Sequence, residues 1–364
     1  MKRAAWLAAM VSLIAYSNCA ISAAYSVTVI ARGFSDPFAF VPLPDGDFLV
    51  TQKKTGKLLR WHAGRELPPI DGIPESLTEG DYAGLQDVIL HPAFSENHFI
   101  YFSFIHGTRD ANAVRVARGR YDGNRLSDVR TIFTVSPTKD TLNHPGARLA
   151  FIGDGTLIIT VGDGFEYREQ AQNLGSLLGK ILRVTELGAV PRDNPFVLSG
   201  DGRSPIWAYG VRHPLGILYD STSDRLYENE NGPQGGDELN LVEKGQNYGW
   251  PLATYGIGYS GTYVSPYRQY PGTKQPLLYW TPSLAPSGMT QCRRCQWPEW
   301  EGDLFIGMLA GEQVRRVSLR TGQSAQQEAL FEDRHARIRD VHFGPDGALY
   351  VLQDDGVLFK ATKH

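Results

Sequence analysis

Six polar residues, His144, Arg212, His213, Ser283, Arg337 and Arg339, each stand at the entry to a short apolar stretch. A neutral imidazole titrates near physiological pH, so His144 could take a proton from a substrate hydroxyl as a general base. Arg337 and Arg339 are two apart, the spacing that sends two side chains of a strand to one side, and guanidinium forks match carboxylates. Taken singly, these residues are unremarkable. His144 is a loop histidine before Pro145, Ser283 a turn serine, and Asp163 a turn residue between Gly162 and Gly164. Chemistry follows only if the fold brings them together.

The elements around them repeat. An apolar strand, a turn rich in Asp, Gly, Pro or Asn, and a second apolar strand recur from Phe38–Val50, Val88–Phe102, Arg148–Ile159, Gly216–Tyr227, Ser287–Ile306 and Asp340–Val351. A spacing of roughly 45–80 residues suits propeller blades with insertions in their loops. A hairpin with one buried face needs neighbours to cover it, and blades stacked in a ring supply them. The repeat therefore predicts an all-β fold, a six-bladed β-propeller with antiparallel four-stranded blades. A β-sandwich accounts less well for regular hairpins along the whole chain. In a propeller, the positions just before each blade's first strand share one face around the central channel. That places the six polar residues in one pocket.

The 364 residues carry a net charge of −3 without a long basic run, which argues against a nucleic-acid partner. Lys2 and Arg3, the apolar Ala4–Tyr16 and the small residues around Ala20–Ala24 read as a signal peptide over 1–24, too short in its apolar part to span a bilayer comfortably. Residues 25–364 then form a single exported domain, periplasmic or secreted, with no membrane insertion after cleavage. Cys292 and Cys295 lack the His that a haem-attachment motif needs next, and suit a small disulfide across a turn.

At these residues the chain resembles the soluble glucose/sorbosone dehydrogenases that use pyrroloquinoline quinone (PQQ), especially the aldose sugar dehydrogenases. The resemblance is strongest from Tyr209 through Glu228–Asn240 to Asn247–Pro251, and extends to Asn173–Arg183, Asn194–Phe196, Thr281–Met289 and Arg337–Asp340. It implies calcium-dependent oxidation of the C1 hydroxyl of an aldose to a lactone, with electrons passed to a separate acceptor. By resemblance His144 is the base, Asp163 orients it, and Arg212 faces the reacting quinone oxygen. His213, Ser283, Arg337 and Arg339 fall at cofactor-binding positions. Gly232 and Pro233 match a turn whose carbonyls hold the cofactor's calcium, while Glu238 and the Tyr248 carbonyl match ligands of a second, structural calcium.

Departures from the family's pattern cluster around the expected pocket. Asp81-Tyr82-Ala83-Gly84-Leu85 replaces a glycine- and glutamine-rich stretch, and His213 and Leu215 replace an amide pair. Ala147 replaces a glycine, and Ala310 stands where the glucose dehydrogenase type has a lysine. Two other functions use similar architecture. A calcium-dependent propeller lactonase gathers acidic and amide groups around the axis, and a binding propeller catalyses nothing.

Overall fold

The computed structural model describes residues 25–62, 64–196, 204–320 and 324–364. The expected signal peptide at 1–24 lies outside them. Six antiparallel four-stranded sheets form the blades of a propeller. The first blade comprises Pro37–Pro42, Phe48–Gln52, Lys57–His62 and Arg65–Glu66, and the second runs from Leu85–Leu90 to Leu126–Thr134. The third spans Gly146–Phe151 to Ile206–Tyr209, the fourth Pro214–Asp220 to Leu278–Trp280, and the fifth Pro286–Gln291 to Gln326–Leu330. The sixth takes Ile338–Phe343, Leu349–Gln353 and Leu358–Lys363 from the C-terminal end, and its outer strand, Tyr25–Ala31, from the other end of the domain. Ring closure is thus made by hydrogen bonds between the two ends of the folded chain.

All six predicted hairpins are the inner two strands of a blade, so the repeat read from sequence is the architectural repeat. Its physical basis lies between blades. Six buried apolar clusters each combine residues of two consecutive blades, such as Tyr101 and Val114 with Leu149 and Ile159, or Phe305 and Val314 with Val341 and Phe359. No blade buries both of its faces alone. Cys292 and Cys295 are joined in a disulfide that packs with Trp297 and Trp300 between the first two strands of the fifth blade.

Innermost strands of neighbouring blades touch all round the ring, and the sixth touches the first. At their centre lies Arg148, a buried arginine on the third blade's first strand. Its Nε donates to Leu215 O at 2.8 Å, and its Nη2 reaches Phe38 O and Arg339 O, each at 3.4 Å. Its Nη1 lies 3.3 Å from Asp87 and 3.4 Å from Asp340. Those partners belong to the fourth, first, sixth and second blades, so one guanidinium gathers five of the six inner strands. The Phe38 ring covers it at 4.4 Å.

Removing one partner of a buried ionic group leaves its carboxylates uncompensated. Arg148→Leu is expected to destabilise the protein by about 3–5 kcal/mol in urea unfolding. Adding Asp87→Asn and Asp340→Asn should recover part of that loss; no recovery would show that the charges are not the cause.

Candidate active site

Strand direction builds the site. Each blade's first strand leaves one face of the propeller, and its second strand returns to that face. Residues that enter first strands and residues that leave second strands therefore converge. A cavity of about 470 Å³ opens there, lined by His144, Arg212, His213, Ser283, Arg337 and Arg339 from entries, and by Lys53, Asn231, Leu309 and Asp354 from exits. All six residues singled out from the sequence line this one cavity. Its walls also include Leu215 and Phe38, which carry the carbonyls held by Arg148.

His144 is buried, with φ at +45°. Its Nδ1 lies 2.8 Å from Asp163 Oδ1, which also accepts Phe165 N–H at 2.8 Å. Asp163 Oδ2 accepts Trp250 Nε1–H at 2.8 Å. A carboxylate so fixed sets the imidazole's orientation and favours the tautomer with its proton on Nδ1, leaving the Nε2 lone pair for the cavity. Burial is the main cause of a lowered His144 pKa; the hydrogen bond the ring donates to Asp163 opposes the shift, and Arg212 adds to it. His144 is accordingly neutral at neutral pH, the form a base requires. His213 stacks on it, rings 4.4 Å apart and inclined by 13°, and burial holds His213 neutral too. Tyr82 meets the His213 ring edge-on at 5.9 Å.

Four cations line the cavity: Lys53, Arg212, Arg337 and Arg339. Arg337 and Arg339 both bind Asp354, at 3.0 and 2.6 Å, and Lys53 lies 3.2 Å from Asp36. Arg212 differs. Its Nη1 donates to the carbonyls of Asn231 and Gly232 at 2.7 and 2.8 Å, Trp250 and Tyr259 flank its guanidinium, and no carboxylate side chain pairs with that guanidinium among the described residues. A buried guanidinium held by neutral groups keeps its field for whatever enters the cavity.

The residues expected as metal ligands lie in two places. Gly232 and Pro233 line the cavity beside Arg212. Glu238 and Tyr248 meet around a second, water-sized space of about 10 Å³, together with Glu230, Gly236 and Thr254. Burial raises Glu238 to about 8 and carries Glu228 and Glu230 well above the ordinary carboxylate range. Such carboxyls need a proton or a cation. Among the described residues no three His, Cys, Asp or Glu side chains could hold a metal by themselves, so a hard cation here needs carbonyl oxygens as well.

Ser283 lines the cavity as its position suggested, and it also makes a structural bond. Its hydroxyl donates to Asp237, which also accepts the backbone N–H groups of Gly232, Leu284 and Ala285. The serine thereby ties the Gly232 turn to the fifth blade's entry segment. Lys53, Asn231 and Asp354 were missed because attention rested on strand entries. Their shared signal is their place directly after a second strand, the place Asp163 nearly holds in its own blade.

The model of the glucose/sorbosone dehydrogenase family matches residues 34–360. The chain belongs to this family. It is 39% identical to the aldose sugar dehydrogenase YliI of Escherichia coli K12 over 363 residues, 97% of each chain. The solved apo structure of the E. coli soluble aldose sugar dehydrogenase superposes with a TM-score of 0.88 at 39% identity, covering 93% of this chain and 100% of that one. A PQQ-bound aldose sugar dehydrogenase from Streptomyces coelicolor superposes with a TM-score of 0.76 at 29% identity, covering 93% and 98%. The chain is therefore an oxidoreductase of the sugar dehydrogenase type.

Packing around His144 gives a direct check on what holds its ring. A Cβ added to Gly162 would stand 2.1 Å from His144 O, a backbone atom that cannot swing aside. Gly162→Ala is expected to lower the melting temperature and to remove the downfield proton NMR signal of the His144–Asp163 hydrogen bond. An unchanged signal would mean that the histidine is held by other contacts.

Proposed function

We propose that this protein oxidises the C1 hydroxyl of an aldose to the lactone, using PQQ and calcium and passing the electrons to a separate acceptor. One observation carries this reading: a neutral, carboxylate-oriented histidine shares a cavity with a buried guanidinium that has no carboxylate partner. The family resemblance and the PQQ-bound relative support it. So does Arg148, which fills the neighbourhood of the axis with a cation where a propeller lactonase would gather metal ligands.

The residues fit both groups. Arg337, Arg339 and Lys53 suit the quinone's carboxylates, with Asp354 and Asp36 keeping these long cations in place. Lys53 supplies an ammonium from the first blade, whereas Ala310 offers none where the glucose dehydrogenase type has its lysine. Gly232 and Pro233 suit the cofactor's calcium through their carbonyls, and Glu238 with the Tyr248 carbonyl suits the structural one. When bound, PQQ supplies the acceptor for the two electrons leaving C1, and its calcium supplies Lewis acidity.

The chain's own part is proton transfer and charge placement. His144 Nε2 takes the proton of the C1 hydroxyl, and Asp163 stabilises the imidazolium that results. Arg212 stands where negative charge develops, already desolvated, with the Asn231 carbonyl holding its guanidinium and the Gly232 carbonyl sharing it until a cation claims that oxygen. His213 walls the base on one side and excludes water from it. The leader read at 1–24 directs the domain of residues 25–364 to the periplasm or the medium. Among the described residues, no helix is long and apolar enough to cross a membrane.

Reconstitution with PQQ and calcium, followed by dye reduction across a panel of aldoses, tests this function. His144→Ala should lower kcat by about 10²–10⁴-fold. The acid limb of the pH profile should fall below the ordinary histidine value, since burial lowers the His144 pKa. Asp163→Asn should move that limb lower still, because the lost carboxylate opposed the shift. Absence of any quinone-dependent turnover would defeat the proposal.

Calcium has its own readout. Glu238 is raised in the folded state, so the stability it contributes is present below the ordinary glutamate value and is lost as pH rises through about 8. In EDTA the melting temperature should therefore fall between pH 6 and 9, and calcium should largely abolish that fall. Parallel curves with and without calcium would remove the structural ion from this account.

A further inference from the structure

Residues 249–277, most of the long connection (243–277) between the last two strands of the fourth blade, form the richest tyrosine segment of the chain. It contains five tyrosines, at 255, 259, 263, 267 and 270, and only two charged residues, Arg268 and Lys274, of which Lys274 is paired with Glu243. The connection is clamped to the cavity wall. Gln234 N–H donates to Ile257 O at 2.9 Å, and a Cβ on Gly236 would lie 2.3 Å from Gly256 N, so this seam closes only over glycine. Tyr259 lines the cavity, and its hydroxyl lies 3.5 Å from Arg212 Nη2. A turn closed by Gly258 N–H donating to Thr262 O then carries the chain to Tyr263.

These rings are presented rather than packed away. Tyr259 is 58% exposed, Tyr263 81% and Tyr267 52%. Tyr267 packs edge-on against Tyr270 at 5.4 Å, and Tyr255 stacks on Tyr279 at 3.9 Å, which stiffens the surface without hiding it. Exposed rings with hydroxyl tips and almost no charge suit a neutral polyhydroxy ligand. The C–H faces of a pyranose stack on the ring, and its hydroxyls reach the tip or water.

We propose that the tyrosine surface of residues 255–270 is a subsite for the outer rings of a neutral oligosaccharide whose reducing end occupies the cavity. The proposal rests on the C1-oxidation reading. Oxidation at C1 puts the reducing ring in the cavity, and the rest of the oligosaccharide must leave over its rim. Tyr259 belongs to both the cavity and the rim, and the exposed Tyr263 and Tyr267 follow it on the same connection.

Isothermal titration calorimetry on the cofactor-free protein tests this without depending on turnover. Glucose and the linear malto- and cello-oligosaccharides up to the hexaose serve as probes. Affinity in at least one series should tighten with length, roughly tenfold from the monosaccharide to the tetrasaccharide. Tyr263→Ala combined with Tyr267→Ala should abolish that gain, and Tyr263→Phe with Tyr267→Phe should keep most of it. In the reconstituted enzyme the alanine pair should raise KM for the tetrasaccharide and leave glucose kinetics unchanged, both tyrosines lying outside the cavity. Equal affinity at every length, or a gain that survives the alanine pair, overturns the subsite. Impaired reduction of a protein acceptor with no length dependence for sugars also overturns it, in favour of acceptor docking. In either case quinone-dependent glucose oxidation would leave the C1-oxidation reading standing.

Discussion

One buried guanidinium organises the middle of this molecule. Arg148 touches carbonyls or carboxylates from four other blades, and the residues supplying those groups continue into the cavity wall as Phe38, Leu215 and Arg339. A charge so far from water persists only when its donors are matched, so the inner strands cannot slide independently. Blade register at the axis, and with it the spacing of the residues above, follows from satisfying this one side chain. The apolar plug of Phe38, Ala39, Leu215 and Leu309 packs beside it and floors the cavity.

From that frame the site inherits its electrostatics. Burial pushes titratable groups toward their neutral forms, which lowers a histidine and raises a glutamate. The same physics thus keeps His144 neutral and leaves Glu228, Glu230 and Glu238 in want of a proton or cation. The cations respond differently. Arg337, Arg339 and Lys53 are steadied by aspartates, while Arg212 is steadied by carbonyls and keeps its charge uncompensated. A cavity with both kinds can bind fixed carboxylates and still answer charge that appears during reaction.

How much of this could be read beforehand depended on locality. The hairpins were visible because a strand–turn–strand repeat is written in consecutive residues, and their strand entries located His144, Arg212, His213, Arg337 and Arg339 at once. Lys53, Asn231 and Asp354 obey the same topology from the other end of the hairpin, yet a residue after a strand looks like any turn residue until the return direction is considered. Ser283 was placed correctly but its bond was not foreseen, since Asp237 reaches it from the preceding blade. Arg148 was hidden most thoroughly. Within Arg148-Leu149-Ala150-Phe151 it looks like a polar position of a half-exposed strand, and only groups drawn from distant parts of the sequence explain why it is buried.

The base and the acidic nest are also joined mechanically, through Trp250 and Arg212. Trp250 donates to Asp163, which holds His144, and its ring lies beside the Arg212 guanidinium at 5.3 Å. The backbone N–H of Arg212 donates to Glu230, while its side chain grips Gly232 O, and both residues line the small space around Glu238 and Tyr248. Asp163 N–H in turn donates to Arg212 O at 2.8 Å. Any change in the charge state of Glu230 therefore acts on the backbone that carries Arg212, two bonds from the carbonyl that supports Asp163. The acidic nest and His144 are thus tied to one continuous hydrogen-bonded segment, Glu230–Arg212–Asp163–His144, which links their geometries without passing through the cavity.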